Sequence, residues 1–194
     1  GGVFWALDYR RKPVDSKKQF YALGFAIYGL SEYYRACGDE EALDYAEKLF
    51  ASIEEHSLDK EQGGYFEACT SDWQPIEDMR LSEKDANEKK TMNTHLHILE
   101  PYTNLLRALR LAGRCCNEVE KSHKALIEVF LDKILDRSSS HLGLFFDENW
   151  VRRDNMVSYG HDIEASWLLF EAASVCGDAK LLEKVRKAAI RIAE

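Results

Sequence analysis

The chain has 194 residues, 45% of them apolar, which is enough for one substantial core. Acidic residues outnumber basic ones, 34 to 26, for a formal net charge of −8, and no Lys/Arg run is interleaved with aromatics, so nucleic acid is not an expected partner. The apolar stretches are too short to span a bilayer, and Gly1-Gly2-Val3-Phe4-Trp5 lacks the basic and apolar regions of a signal peptide. Five cysteines (Cys37, Cys69, Cys115, Cys116, Cys176), odd in number and without CxxC spacing, fit a reduced, cytoplasmic setting.

Gly2 to Trp5 is expected to be extended, with a polar turn following around Pro13 and Asp15. A helix is predicted from about Lys17 to Ala36. Phe20, Tyr21, Phe25, Tyr28, Tyr33 and Tyr34 lie nearly all round it, so burial on most sides is expected. Cys37-Gly38-Asp39 ends it, with Gly38 as the stop and Asp39 as the next N-cap. The second helix, Glu40 to about Glu55, is amphipathic: Leu43, Ala46, Leu49, Phe50 and Ile53 face in, and Glu41, Glu47, Lys48 and Glu54 face out. Asp59 to Phe66 contains a Gly-Gly turn and a strand-like piece, and a polar segment follows through Trp73, Pro75 and Asp85. A third helix is expected from near Glu88 to about Ala112. Pro101 lies inside it, at a cost of roughly 3 kcal/mol in an ordinary helix interior. The amide that Pro101 lacks would have bonded the carbonyl of His97, which predicts a kink there. Another amphipathic helix spans about Asn117 to Leu135. Leu142 to Asp147 is again extended, and a loop runs through Arg152 to Asn155. The helix bearing His161 then continues to Val175. Gly177-Asp178 repeats the Gly38-Asp39 punctuation before a last amphipathic helix.

This order is an internal repeat in three copies, each an extended Gly-aromatic piece, a buried helix and an amphipathic helix. Alternating inner and outer helices imply an all-α fold, an α/α toroid whose inner helices line a cavity. Three hairpins make half of a six-hairpin ring, so residues 1–194 are expected to form one incomplete α/α barrel domain.

Residues three and four apart share a helix face. Asn93, His97, Glu100 and Asn104 therefore form one polar stripe, and His161 and Glu164 start a second, which Leu168 continues with an apolar residue. Met92, Leu96, Leu99 and Leu106 cover the other side of the first helix, and Ile163, Trp167 and Phe170 that of the second. Both apolar faces are expected to be buried, leaving the stripes to face a sugar pocket. Imidazole titrates near the operating pH, which makes His97 and His161 candidate acid–base groups; a hydrogen-bonded structural role is the alternative for each. His95 is rotated roughly 200° from His97, toward Met92 and Leu99, and is assigned to the core or to a supporting role. Because the two rings of His-x-His point apart on a helix, no metal is expected. Glu100, Glu164 and Asp85 have the chemistry for glycoside hydrolysis but are not paired by spacing; hydrogen bonding to sugar or protein is the other reading. Trp73, Trp150 and Trp167 are of the type that stacks on a sugar, but the spacing of Trp167 with Ile163 and Phe170 places it in the core.

At Met92-Asn93-Thr94-His95-Leu96-His97, and from Ser158 through His161 and Glu164 to Trp167, the chain resembles the cellobiose 2-epimerases within the N-acylglucosamine 2-epimerase superfamily. Gly63-Gly64-Tyr65-Phe66, Asp78 to Ser82, Asn87 to Lys90, Phe145-Phe146-Asp147 and Tyr21 to Glu32 share in the likeness, which covers essentially the whole chain. The resemblance implies an (α/α)6 barrel that, without a cofactor, converts the reducing-end glucose of β-1,4-linked disaccharides to mannose. The ring opens, the C2 proton leaves, a cis-enediolate forms and a proton returns on the opposite face. On this likeness His161 is one of two acid–base histidines at C2, and His97 assists ring opening and holds the reacting oxygens. Glu164 supports the site, and Asn93, Asp85 and Tyr21 contact the sugar or order the pocket. The second C2 histidine and the sugar-stacking tryptophans are expected beyond residue 194, and an arginine contact before residue 1. A whole ring is expected to be monomeric, whereas half a ring exposes faces that favour self-association.

Three alternatives stay open on the residues alone. An aldose–ketose isomerase on the same scaffold would deliver the proton to C1. A glycoside-degrading toroid would depend on carboxylates, and a non-catalytic sugar-binding or structural piece would exchange no proton.

Overall fold

A computed structural model describes residues 1–194. Three helical hairpins follow one another: α1 (Phe20–Cys37) with α2 (Glu40–His56), α3 (Met92–Ala112) with α4 (Asn117–Val129), and α5 (Tyr159–Cys176) with α6 (Ala179–Ala193). The inner helices α1 and α5 flank α3, and α2, α4 and α6 back them as an outer layer. Fifteen of the 21 residues of α3 are buried, which makes it the central helix of the molecule. One cluster of 36 buried residues runs through all three hairpins. No helix is long and apolar enough to cross a membrane.

Local chemistry sets the helix ends. The Asp39 carboxylate accepts from the amides of Glu41 and Ala42 at 3.0 and 3.2 Å, and Asp178 caps α6 in the same way through Lys180 and Leu181. Gly38 and Gly177 close α1 and α5 with φ of 75° and 81°, a left-handed conformation that costs glycine nothing.

The extended pieces are short. β1 (Ala6–Leu7) and β2 (Pro13–Asp15) form an antiparallel ribbon. β3 (Lys18–Gln19) pairs with β4 (Ala68–Cys69), and β5 (Lys90–Thr91) with β6 (Phe145–Phe146). Each of these last two pairs ties the entry of an inner helix to the extended piece of the following repeat. They also explain why α1 and α3 begin at Phe20 and Met92, a few residues after the expected starts: Lys18–Gln19 and Lys90–Thr91 are held in strands. At the far end of the second hairpin, α4 stops at Val129 and Phe130–Ile134 continues as a π-helical turn.

The fully buried Lys90 pins the entry of α3. Its ammonium donates to Asp59 Oδ2 at 2.7 Å and to the carbonyls of Gly63 and Glu148 at 2.9 Å each, and it lies 4.7 Å from the centre of the Trp150 ring. Three acceptors satisfy all three protons, so no donor of the buried ammonium is left unpaired, although burial still lowers its pKa.

Two burial expectations are corrected. Only six of the 18 residues of α1 are buried, and Phe25 and Tyr33 are 37% and 56% exposed. On α5 the inward face is the reverse of the expected one. Ile163 and Trp167 are each 54% exposed and Phe170 43%, while Asp162, Ala165, Leu168, Leu169, Ala172 and Ala173 are buried. Trp167 is therefore not a core residue. The helix is apolar nearly all round, so periodicity could not choose a face; the small side chains of Ala165, Ala172 and Ala173 allow the close approach that packing against α3 and α6 requires.

Candidate active site

α3 presents two chemically different faces. Met92, Leu96, Leu99 and Leu106 enter the core as expected. On the same core side, His95 is fully buried and locked: Nδ1 donates to the Thr91 carbonyl at 2.6 Å and Nε2 accepts the Tyr65 amide at 2.8 Å. Burial pushes its pKa down to about 4, which keeps it neutral. With both nitrogens taken by the backbone, His95 is a structural histidine.

His97 faces the other way. Its Nδ1 lies 3.2 Å from Glu100 Oε2, one helical turn on. Tyr21 and Phe25, from α1, pack against the imidazole with ring centres 5.1 and 5.2 Å away, Tyr21 edge-on. The Tyr21 hydroxyl is raised above its ordinary pKa by burial and then by the charges of Glu164 and Glu100, so carboxylates from α5 and α3 both bear on it. Residues of α1 and α3 thus converge around His97, and Glu164 of α5 lies close enough for its charge to act on Tyr21. Asn104, at the far end of the polar stripe, does not join them. It is buried and accepts from Arg35 Nη1 at 3.0 Å, tying α3 to α1.

His161 stands in an adjoining cleft of about 100 Å³, whose lining includes Asp85, Asn93, Glu67, Arg80 and Phe145. Its Nδ1 is 2.7 Å from Ser158 Oγ. Asp85 arrives on the irregular segment, where its Oδ2 accepts from the amide and hydroxyl of Ser82 at 3.0 and 2.9 Å. The structure therefore groups His161, Asn93 and Asp85 in one cleft and His97, Tyr21, Glu100 and Glu164 beside it. Asn93 and His97, four apart on α3, and His161 and Glu164, three apart on α5, join the two groups.

Trp150, a candidate for stacking on a sugar, is instead buried and donates through Nε1 to the carbonyls of Gln62 and Gly63 at 3.1 and 3.2 Å. Trp73 stacks on His56 with ring centres 4.2 Å apart.

The model of the family described as N-acylglucosamine 2-epimerase (GlcNAc 2-epimerase) matches residues 1–193. The chain belongs to that family. Cellobiose 2-epimerase of Bacteroides fragilis is 59% identical over 193 residues, covering 100% of this chain and 48% of the relative. Cellobiose 2-epimerase of Dictyoglomus turgidum is 39% identical over the same length and share. The chain thus spans about half the length of the curated relatives it matches. Among solved structures, cellobiose 2-epimerase from Bacillus thermoamylovorans superposes with a TM-score of 0.90 at 38% identity, covering 98% of this chain and 47% of that one. The three hairpins are accordingly a portion of the (α/α)6 toroid of these 2-epimerases.

Within this 2-epimerase scaffold, one cleft residue was missed from the sequence. Glu67 is buried, its Oε1 accepting the Thr91 amide at 2.7 Å and its Oε2 the Thr94 hydroxyl at 2.6 Å. Burial raises its pKa to about 8, and the bonds from Thr94 and Thr91 only partly offset this. No local signal in the sequence pointed to it; only the strand pairing sets its register across the repeats. The Glu67 carbonyl accepts Phe20 N–H just as the Leu144 carbonyl accepts Met92 N–H, so Glu67 puts a carboxyl where the next repeat has a leucine.

Proposed function

We propose that this chain carries proton-transfer machinery for C2 epimerisation of the reducing-end glucose of a β-1,4-linked disaccharide such as cellobiose. The observation that supports the reading is the tethering of two imidazoles on neighbouring inner helices. Each is held at Nδ1 by a residue three positions away in its own helix or at its cap, His97 by Glu100 and His161 by Ser158. Tethered at Nδ1, each ring has Nε2 available for proton transfer.

In this reading His97 moves a proton between the anomeric hydroxyl and the ring oxygen, opening the sugar to its aldehyde. The C2 hydrogen is then acidified by the adjacent carbonyl, and His161 removes it to leave a cis-enediolate. Return of a proton to the opposite face of C2 gives the mannose epimer, with no net change in oxidation state. Asn93 and Asp85 hydrogen-bond sugar hydroxyls in the cleft, Tyr21 closes the pocket against His97, and Glu164 supports the site. The disaccharide is the sole partner in this reading, no cofactor is used, and the five free thiols suit the reducing interior of a cell.

The test is proton NMR of cellobiose incubated with the chain in D2O. Loss of the reducing-end C2 proton signal is expected, and His161→Asn should abolish it. Exchange without epimer would assign the chain one face of the C2 chemistry, and exchange with a mannose-type product both faces. Deuterium at C1 with a ketose product, or an unchanged rate in His161→Asn, would overturn the proposal.

A further inference from the structure

Ser158 occupies the N-cap of α5, where a serine hydroxyl ordinarily accepts the backbone amide two or three residues on. Here it makes no such bond. At the equivalent N-cap of α3, Thr91 Oγ1 does accept, from Thr94 N at 3.1 Å. The Ser158 hydroxyl lies instead 2.7 Å from Nδ1 of His161, the very residue whose amide it would have capped. The helix forgoes a cap, and an imidazole gains a fixed partner.

We propose that Ser158 is a positioning residue that holds His161 as the Nδ1–H tautomer, with the hydroxyl oxygen accepting that proton. The consequence is chemical. An unpartnered neutral histidine favours the proton on Nε2, which would make the available nitrogen a donor and useless as a base. Bonding Nδ1–H to Ser158 reverses this and leaves the Nε2 lone pair free to take a proton. When Nε2 is protonated the Nδ1–H bond is unchanged, so the ring passes between base and acid without reorienting. A serine suits this better than the carboxylate that holds His97: it fixes the ring while adding no negative charge beside a site where an enediolate forms. The other contacts of the α5 entry leave the ring free to respond. The carboxylate of the neighbouring Asp162 points away, its oxygens taken by His141 Nδ1 at 2.9 Å and Leu142 N at 3.0 Å.

The inference deepens the proposed role of His161 and rests on it only for the rate; the tautomer is read without substrate. The experiment is nitrogen-15 NMR of the imidazoles of the labelled chain under mildly alkaline conditions, with His161 assigned by its absence in His161→Asn. The Nδ1–H form is expected to dominate in the parent chain and in Ser158→Thr, which keeps the hydroxyl. Ser158→Ala should shift the population to Nε2–H and lower C2 exchange by about tenfold, the scale of losing one oriented partner of a functional histidine. An Nε2–H tautomer in the parent chain, or the same tautomer population in Ser158→Ala, would overturn the proposal whether or not the chain turns over cellobiose. A tautomer shift without C2 exchange in any variant would uphold the positioning and count against the proposed reaction instead.

Discussion

Gly24 of α1 packs directly against the backbone carbonyl of His97 on α3: a Cβ built on Gly24 would lie 2.3 Å from that oxygen and 3.3 Å from Cγ of Pro101. The same carbonyl is the one left without its helical amide by Pro101, four residues on, while α3 runs unbroken through the proline. The two substitutions are complementary. Proline releases the carbonyl, and glycine lets the neighbouring helix close on it, beside a candidate catalytic imidazole.

Gly24→Ala should therefore force α1 and α3 apart and destabilise the chain by about 1–3 kcal/mol, the usual cost of overpacking. Gly29→Ala is the control. It lies on the same helix with nothing within 4 Å of its Cβ, and it should be neutral or stabilising by up to about 1 kcal/mol through helix propensity. Urea unfolding of the two variants checks both; equal effects would sink the packing argument.

Glu67 makes stability depend on pH in an unusual direction. Its folded pKa of about 8 lies above the ordinary 4.5, so the native state holds a proton the unfolded chain has released. The contribution is fully present below about pH 4.5 and is lost as pH rises through about 8. Glu67→Gln, which keeps the shape and cannot ionise, should remove this decline, as unfolding free energies measured across the window would show.

His95 acts with the opposite sign. Its folded pKa of about 4 lies below the ordinary 6.5, so its contribution is present above pH 6.5 and is lost as pH falls through about 4. Buried His123, also depressed to about 4 by desolvation, adds to the same limb. His95→Gln should flatten that limb and cost about 1–3 kcal/mol at neutral pH through the lost bond to Thr91. The Glu67 and His95 slopes overlap with opposite signs in mildly acidic solution, so only the single variants separate them.

The two faces of α5 can be told apart by truncation. Leu168→Ala should cost about 2–5 kcal/mol, as a buried leucine does. Trp167→Ala, although it removes the larger side chain, should change stability by no more than about 0.5 kcal/mol because the indole is 54% exposed. Thermal unfolding in which Trp167→Ala is the more damaging would contradict the orientation of this helix.

The sequence by itself determined the repeat, the punctuation and the chemistry on offer. Gly38-Asp39 and Gly177-Asp178 mark helix ends through backbone freedom and a capping carboxylate, both of which act within a few residues. The polar stripe of α3 was legible because Met92, Leu96 and Leu99 make its opposite face unmistakably apolar, and the separation of His95 from His97 followed from helix geometry alone. Tertiary structure decided what depends on neighbours distant in the chain. It turned Trp167 outward and Leu168 inward on a helix whose composition favours neither, and it spent Asn104 on Arg35. It also set the entries of α1 and α3, because strand pairing with residues about 50 positions away held Lys18–Gln19 and Lys90–Thr91 extended. The carboxyl of Glu67 came into the cleft by the same route: no local pattern distinguishes it from the chain's other acids, and only burial against α3 raises its pKa and gives it Thr91 and Thr94 as partners.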